Sequence, residues 1–585
     1  MGRIGRMQSD FQLGAWRVQP QLNRLACDVR TVRLEPKMMG VLLCLAQRSG
    51  DVVSKDQIVQ EVWKGTFVTD DVLIRCVSEL RKAFGDNAGK PAVIETVPKR
   101  GYRLLIRPVS IARENHHETH STPEVADSIA VLPFENAGPD PDMEYLSDGI
   151  AETIINSLSH LKTLRVVPRA TAFQYKRKSL DPTQVGRELK ARLVLTGHLG
   201  RRGDRLLVGA ELIDTVRQSQ LWGQTYDSKI EEILAIQEEI AGKISNYLEL
   251  RLTDVEKRQL TRRSTESREA YHLYLRARYF AHKWSPEGFR KGFEYCAQAI
   301  EADPAYAEAY TCLAYLYLLV GVFGGAPPVE MFAKSKAAAI RALEIDDGSA
   351  DAHAALGFVH LVYDWDWQGS EAESRRAIKL APTFETGHYV YSHYFLARQQ
   401  FQEAVTEGKL ALSIDPLSAK LNYHLGSIYY FSRLYDEAIE QLRKAAEVDP
   451  LFVRTHQVLA HAYARKGKCQ DALREAEKGL VLSGGSLRSK GLCGGVHAML
   501  GLQLQARNAL DELKLASGPP HFVEAYQCAA IHAMLGEHDE AFEWLNKAFQ
   551  GHSPAIVYMG SDPNLEDLHG DSRFTDLLRR IGLPA

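Results

Sequence analysis

Arg75, Ser78, Glu79 and Lys82 fall at i, i+3, i+4 and i+7, the spacing that puts side chains on one face of a helix. Leu73, Val77, Leu80 and Phe84 form the apolar stripe of the same helix and would turn the polar face outward. A helix fits the major groove of DNA, where guanidinium, ammonium and hydroxyl groups reach base edges and phosphates. Lys99 and Arg100 stand between two strand-like runs, at a hairpin tip from which a guanidinium can enter a narrow minor groove. Taken singly, each of these is more often a solvated surface charge. As a set, Arg75, Ser78, Lys82, Lys99 and Arg100 are the candidate DNA contacts. Glu79 is out of place among them, because a carboxylate repels phosphate; it faces a cytosine amino group or points away.

Other candidates for chemistry are weaker. Asp148-Gly149 at a predicted helix start could hold an anion or a metal, but a capped turn is the favoured reading. His116-His117-Glu118-Thr119-His120 could hold a metal, but its setting is a polar linker. Gly484-Gly485 and Gly494-Gly495 lack the strand before and the Lys-Ser/Thr after that a phosphate loop needs. Asp364-Trp365-Asp366-Trp367 lies at a helix junction and is read as packing. No nucleophile, base and orienting group can be assembled. The expectation is a chain that is not an enzyme and takes no metal or cofactor.

Charge separates the first part of the chain from the rest. Residues 1–110 hold 18 Lys and Arg against 11 Asp and Glu, a surplus of seven, within a chain whose net charge is −3. A basic head on an acidic body points to a polyanion partner for the head alone. The eight cysteines form no CxxC and no zinc-ligand spacing. This usage, and the lack of an apolar stretch near Met1, lead to the expectation of a reducing, cytoplasmic setting. Residues 309–329 carry no charge over 21 positions, about the length of a membrane span. They end in Gly324-Gly325-Ala326-Pro327-Pro328 and fall within a repeat, so a buried helix and loop are expected, with no membrane partner.

The elements that must position the candidate residues read as follows. Runs from Phe11 to Val18 and from Arg24 to Leu34 alternate as short strands. Pro36 opens a helix that Gly50 stops; Ser54, with Gln57 three residues on, caps a second. Thr69 or Asp70 caps the third, and two strands flank Pro98-Lys99-Arg100. This order resembles the OmpR/PhoB-type winged helix. The residues carrying the resemblance are Leu34-Glu35-Pro36-Lys37, Gly50-Asp51-Val52-Val53-Ser54, Val62-Trp63, Leu80-Arg81-Lys82 and Glu95 through Arg103. The last segment is most similar to the CadC/ToxR-like branch. The resemblance implies a winged-helix DNA-binding domain over residues 10–108, with promoter DNA as partner and a homodimer on paired half-sites.

Residues 109–127 are polar and read as a linker. Residues 128–252 alternate strand and helix patterns and resemble the TolB N-terminal-like α/β domain, through Ala130-Val131-Leu132-Pro133-Phe134, Tyr145 through Ile150, Leu195-Thr196-Gly197 and Leu221-Trp222. That domain would couple the two ends of the chain or bind a small ligand. From 268 onward helical segments repeat. From Pro304 the steps between segment ends are 43, 35, 34, 34, 34, 35 and 35 residues, a period that a generic bundle has no reason to keep. With Leu425-Gly426, Tyr429, Ala438 and Ala445 repeated in neighbouring units, the pattern resembles tetratricopeptide repeats over 268–555, followed by a helical cap over 556–585.

The predicted fold is therefore multidomain: an α+β winged helix, an α/β domain, and an all-α tetratricopeptide-type solenoid. Stacked helix pairs curve, with the first helix of each pair inside. Tyr315, Tyr389, His393, Tyr423, Tyr430, His461 and Arg465 are expected to line that groove and receive a protein or peptide partner, or to pack between repeats. The function expected is DNA-binding transcription regulation, the alternatives being an interaction scaffold whose winged helix no longer binds DNA and a regulator with a further ligand or enzyme site in the middle domain.

Overall fold

A computed structural model describes residues 11–110, 128–247 and 265–584, except 15, 21–23, 28–29, 64–67, 69, 88–90, 99, 139–142, 160, 162–163, 177, 179–180, 204, 230–231, 284, 324–325 and 517–523. Two compact units divide between Thr122 and Pro123. They are called head and body below.

In the head, β1 (Phe11–Leu13), β2 (Trp16–Gln19), β3 (Arg24–Cys27) and β4 (Arg30–Arg33) precede α1 (Pro36–Ala46), α2 (Lys55–Trp63) and α3 (Asp70–Phe84). Then follow β5 (Ile94–Val97), β6 (Gly101–Leu104) and β7 (Val109–Ser110). Each of the two runs read as strand is folded back on itself as a hairpin. Gly14, at φ +62°, supplies the left-handed backbone for the first turn. The antiparallel sheet runs β4-β3-β2-β1-β7, so the first residues of the expected linker instead close this sheet. The capping box of α2 is present: Gln57 N donates to Ser54 Oγ at 3.2 Å and Ser54 N to Gln57 Oε1 at 3.1 Å. Helix α3 begins at Asp70; Thr69, the alternative cap, lies outside the described residues. Leu73, Val77, Leu80 and Phe84 join Leu42, Leu45, Ile58 and Leu104 in one core, which fixes the outward face of α3.

The body opens with β8 (Ser128–Val131), β9 (Glu135–Asn136), α4 (Glu144–Ser159), β10 (Arg165–Val166), α5 (Arg169–Ala172) and α6 (Pro182–Glu188). Three long strands follow, β11 (Leu193–Arg202), β12 (Arg205–Asp214) and β13 (Ser219–Lys229), and then α7 (Ile233–Tyr247). The sheet order β10-β8-β11-β12-β13 is mixed, parallel as far as β11 and antiparallel beyond. Asp148 lies inside α4 rather than at its cap, buried and paired with Lys176 at 2.6 Å. The neighbouring Gly149 lets a repeat helix approach, since a Cβ there would meet Leu275 at 2.9 Å. The anion or metal alternative for Asp148-Gly149 is thus replaced by packing and an ion pair.

Among the described residues eight helix pairs form the array, from Arg268–Ala281 with Pro286–Ala302 to Ala525–Met534 with His538–Gln550. Small residues set the close approach within a pair: a Cβ on Gly426 would meet Leu442 at 2.6 Å. The long first step comes from longer helices. Helices Ala307–Phe323 and Pro328–Ile345 have 17 and 18 residues, against 13 and 14 in Ala419–Phe431 and Tyr435–Val448, so each gains about a turn. No helix among the described residues is long and apolar enough to cross a membrane. Trp365 and Trp367 pack as expected: Trp365 stacks on His552 at 4.6 Å, and Trp367 Nε1 donates to Ile581 O at 2.9 Å.

Candidate functional site

Helix α3 presents Arg75, Ser78 and Lys82 to solvent on one face. Val72 and Ile74 share the exposed side, 38% and 46% accessible, although they are apolar. Sequence reasoning missed these two; their signal was the lack of a place for them in the Leu73-Val77-Leu80-Phe84 stripe. Glu79 neither faces outward alone nor stands apart: it accepts from Lys82 Nζ at 2.7 Å. The pair is exposed and holds Lys82 in place only weakly, leaving the ammonium able to exchange its partner.

Arg81 and Asp86, also missed, join α3 to the β5–β6 hairpin. Arg81 donates to Ile94 O from Nε at 3.1 Å and from Nη2 at 2.9 Å, and to Thr96 Oγ1 at 2.8 Å. Asp86 accepts backbone N–H bonds from Asn87, Ala92, Val93 and Ile94 at 2.7–3.2 Å. Partial burial pushes its pKa up, but these four bonds outweigh that and hold the carboxyl below its ordinary value. The stabilisation they give is therefore present above the ordinary carboxylate pKa and is lost as pH falls through the lowered one. Asp86→Asn is expected to destabilise the head by about 1–3 kcal/mol at neutral pH and to flatten its acid unfolding. Identical urea midpoints for variant and parent at pH 7 would contradict this.

At the hairpin tip Arg100 is exposed and its N–H closes the turn on Val97 O at 3.0 Å. Lys99 lies outside the described residues. Gly101 takes φ +137°, and a Cβ on it would meet Val53 O at 2.0 Å. Glycine is thus required where the hairpin crosses the chain leading into α2. The result is an open cationic and apolar face on α3 and a cationic tip on the hairpin that Arg81 and Asp86 tie to it.

In the body, the first helices of the pairs, α4, α5 and residues 554–564 wall a cavity of 1910 Å³. Tyr315, Tyr389, His393, Tyr423, Tyr430 and His461 line it, placing these six groove candidates on one surface. Several are already engaged by the chain itself. Tyr430 is buried and donates to Asn564 Oδ1 at 3.0 Å, and Tyr558 OH meets His393 Nδ1 at 2.8 Å. Arg465 is not part of the lining: its guanidinium donates to Pro563 O at 2.7 Å and Asn564 Oδ1 at 3.0 Å. Burial keeps the imidazoles neutral, lowering His393 and His461 to about 3.

At the α4 end, Glu152 is buried, accepts from Arg278 and from His282 Nε2 at 3.1 Å, and forms an ion pair with Arg169 Nε at 3.2 Å. Burial opposes its charge, yet Arg278 and Arg169 hold it ionised, well below the usual carboxylate range. Among the described residues no group of three or more His, Cys, Asp or Glu is placed to hold a metal ion; His116, His117 and His120 fall outside them.

Residues 29–104 match the family described as "Transcriptional regulatory protein, C terminal", and residues 125–243 match "HilA/YgeH-like transcriptional regulator, second domain". The second match covers most of the segment for which a TolB-like resemblance was expected. The chain is 34% identical over 223 residues to a protein of Rhizobium meliloti (strain 1021) named "Putative adenylate cyclase 3", covering 38% of this chain and 37% of that one. It is 36% identical over 125 residues to the transcriptional activator CadC of Escherichia coli (strain K12), covering 21% and 24%. It is 24% identical over 396 residues to the transcriptional regulator HilA of Salmonella typhimurium, covering 67% and 68%. The chain thus spans well under half the length of the first two relatives and about two thirds of the third.

Proposed function

We propose that this chain, a CadC/ToxR-type combination of winged-helix head, HilA/YgeH-type second domain and tetratricopeptide-like repeats, is a DNA-binding transcription regulator whose body receives a signal. The exposed Arg75–Ser78–Lys82 face of α3, with exposed Arg100 at the tip of the hairpin that Arg81 ties to α3, is the observation that carries the reading. Arg75 and Ser78 reach base edges, with Val72 and Ile74 against thymine methyl groups. Lys82 leaves Glu79 for a phosphate, and Arg100 with Lys99 enters the adjacent minor groove. Two heads bind paired half-sites as a homodimer. CadC and HilA bear the names of an activator and a regulator, which supports the reading. No reaction is assigned to the chain, and its setting is the cytoplasm, where promoter DNA is found.

Residues 1–122 should bind duplex promoter DNA in a mobility shift, with affinity falling steeply as salt rises. Arg75→Ala with Arg100→Ala should weaken binding by about tenfold or more and reduce the salt slope. Equal affinity of parent and double variant at low salt refutes the reading and leaves the scaffold alternative standing.

A further inference from the structure

In three successive repeats the inner wall carries a cation at the matching place, where two earlier repeats carry Glu308 and Asp351. Lys420, Arg454 and Arg488 are each the second residue of a first helix, 34 residues apart, and all three line the cavity. None of the three is within ion-pair distance of a carboxylate among the described residues. Lys420 lies over the Tyr389 ring at 4.1 Å, Arg454 Nε reaches only Tyr423 OH at 3.3 Å, and Arg488 Nη1 donates only to Val322 O at 2.7 Å.

Three half-buried cations on one wall, none in ion-pair contact with a carboxylate among the described residues, repel one another in a setting where water screens poorly, while Glu385 and Asp415 near Lys420 and Glu524 near Arg488 offset part of their charge. Burial and the neighbouring Arg454 lower Arg488 to about 9. The positive ends of three helix dipoles add to the same field. Beside this strip, two buried groups leave hydrogen-bonding capacity unused toward the cavity. His461 is 5% exposed with neither ring nitrogen bonded, and Gln457 is 6% exposed with a free Oε1. Such groups are rare without a ligand or water to complete them.

We propose that the cavity is a binding site for a small organic oxyanion, its carboxylate or phosphate oxygens held by Lys420, Arg454 and Arg488 and its body lying against Tyr389, Tyr423 and His461. A folded partner is disfavoured because residues 554–564 already stand in the groove: Asn564 takes Tyr430 and Arg465, and Tyr558 takes His393. At 1910 Å³ the cavity exceeds the roughly 300–1,000 Å³ of a usual small-molecule site, so the ligand takes the cationic wall and water fills the remainder. This site lies wholly in the body, so it stands or falls independently of DNA binding by the head.

The test uses the full chain and 8-anilinonaphthalene-1-sulfonate, an aromatic oxyanion whose fluorescence rises on binding. Saturable binding to the parent chain is expected, weakened at least tenfold in Arg454→Gln with Arg488→Gln. The outer-surface variant Lys444→Gln with Arg474→Gln should bind as the parent does. Lys420→Gln removes no hydrogen bond or ion pair and so guards against misfolding; it should weaken binding at least threefold with helical content unchanged. Displacement by citrate marks a carboxylate ligand and displacement by pyrophosphate a phosphate ligand. No saturable binding to the parent, or equal binding by the parent and Lys420→Gln, overturns the proposal.

Discussion

Gly101→Val is expected to unfold the head and abolish its DNA binding while leaving the array intact. The new Cβ would stand 2.0 Å from Val53 O at a φ of +137°, and a branched side chain cannot adopt that backbone without strain. Relief requires β6 to move away from the chain entering α2. That motion breaks the reciprocal bonds Val53 N to Tyr102 O at 2.8 Å and Tyr102 N to Val53 O at 3.0 Å. Strain and lost hydrogen bonds together cost several kcal/mol, at least ~3 kcal/mol, against a total of roughly 5–10 kcal/mol for a domain of this size. Circular dichroism of residues 1–122 and a mobility shift check this. A folded variant that binds DNA with parental affinity would show that the hairpin can shift without cost.

Glu152→Ala should be the most damaging single change in the body. Its carboxylate, 5% exposed, joins Arg169 of the middle domain to Arg278 and His282 of the first repeat helix and its cap. Removing it leaves two guanidinium groups facing each other in a water-poor site, a loss of about 3–5 kcal/mol. The middle domain should then melt apart from the array, so a single urea transition becomes two. An unchanged single transition would mean that the ion cluster contributes little to the join.

What could be read from residues alone follows from how local the determinants are. The Ser54–Gln57 capping box, the stripe of α3 and the 34-residue period are written in neighbouring positions, and the structure contains them. The split of the first head run into a hairpin turns on one glycine, Gly14, whose left-handed φ has no pattern of its own. The added turns in Ala307–Phe323 and Pro328–Ile345 carry no local mark, since Gly324 to Pro328 is the more conspicuous feature of that step. The exposed face of α3 was legible, whereas its braces were not. Arg81 and Asp86 act on Ile94, 13 and 8 residues on. The matched places of Lys420, Arg454 and Arg488 were visible in principle, but the aromatic residues of the same helices drew attention as anchors. Residues 554–564 were not foreseen inside the groove, since nothing local marks Asn564 as the partner of Tyr430, 134 residues before it.

The same long-range contacts change how the array must assemble. A solenoid held only by neighbours can grow or fray from either end. Here Arg398 donates to Gly582 O across 184 residues, and Trp367 to Ile581 O across 214. Ring-like closure of this kind raises the contact order, so the final folding step waits for a segment synthesised long after the helices it clasps. Until then those repeats hold an unfinished surface, and once closed they cannot unzip singly. The array then behaves as one cooperative body rather than a row of independent units.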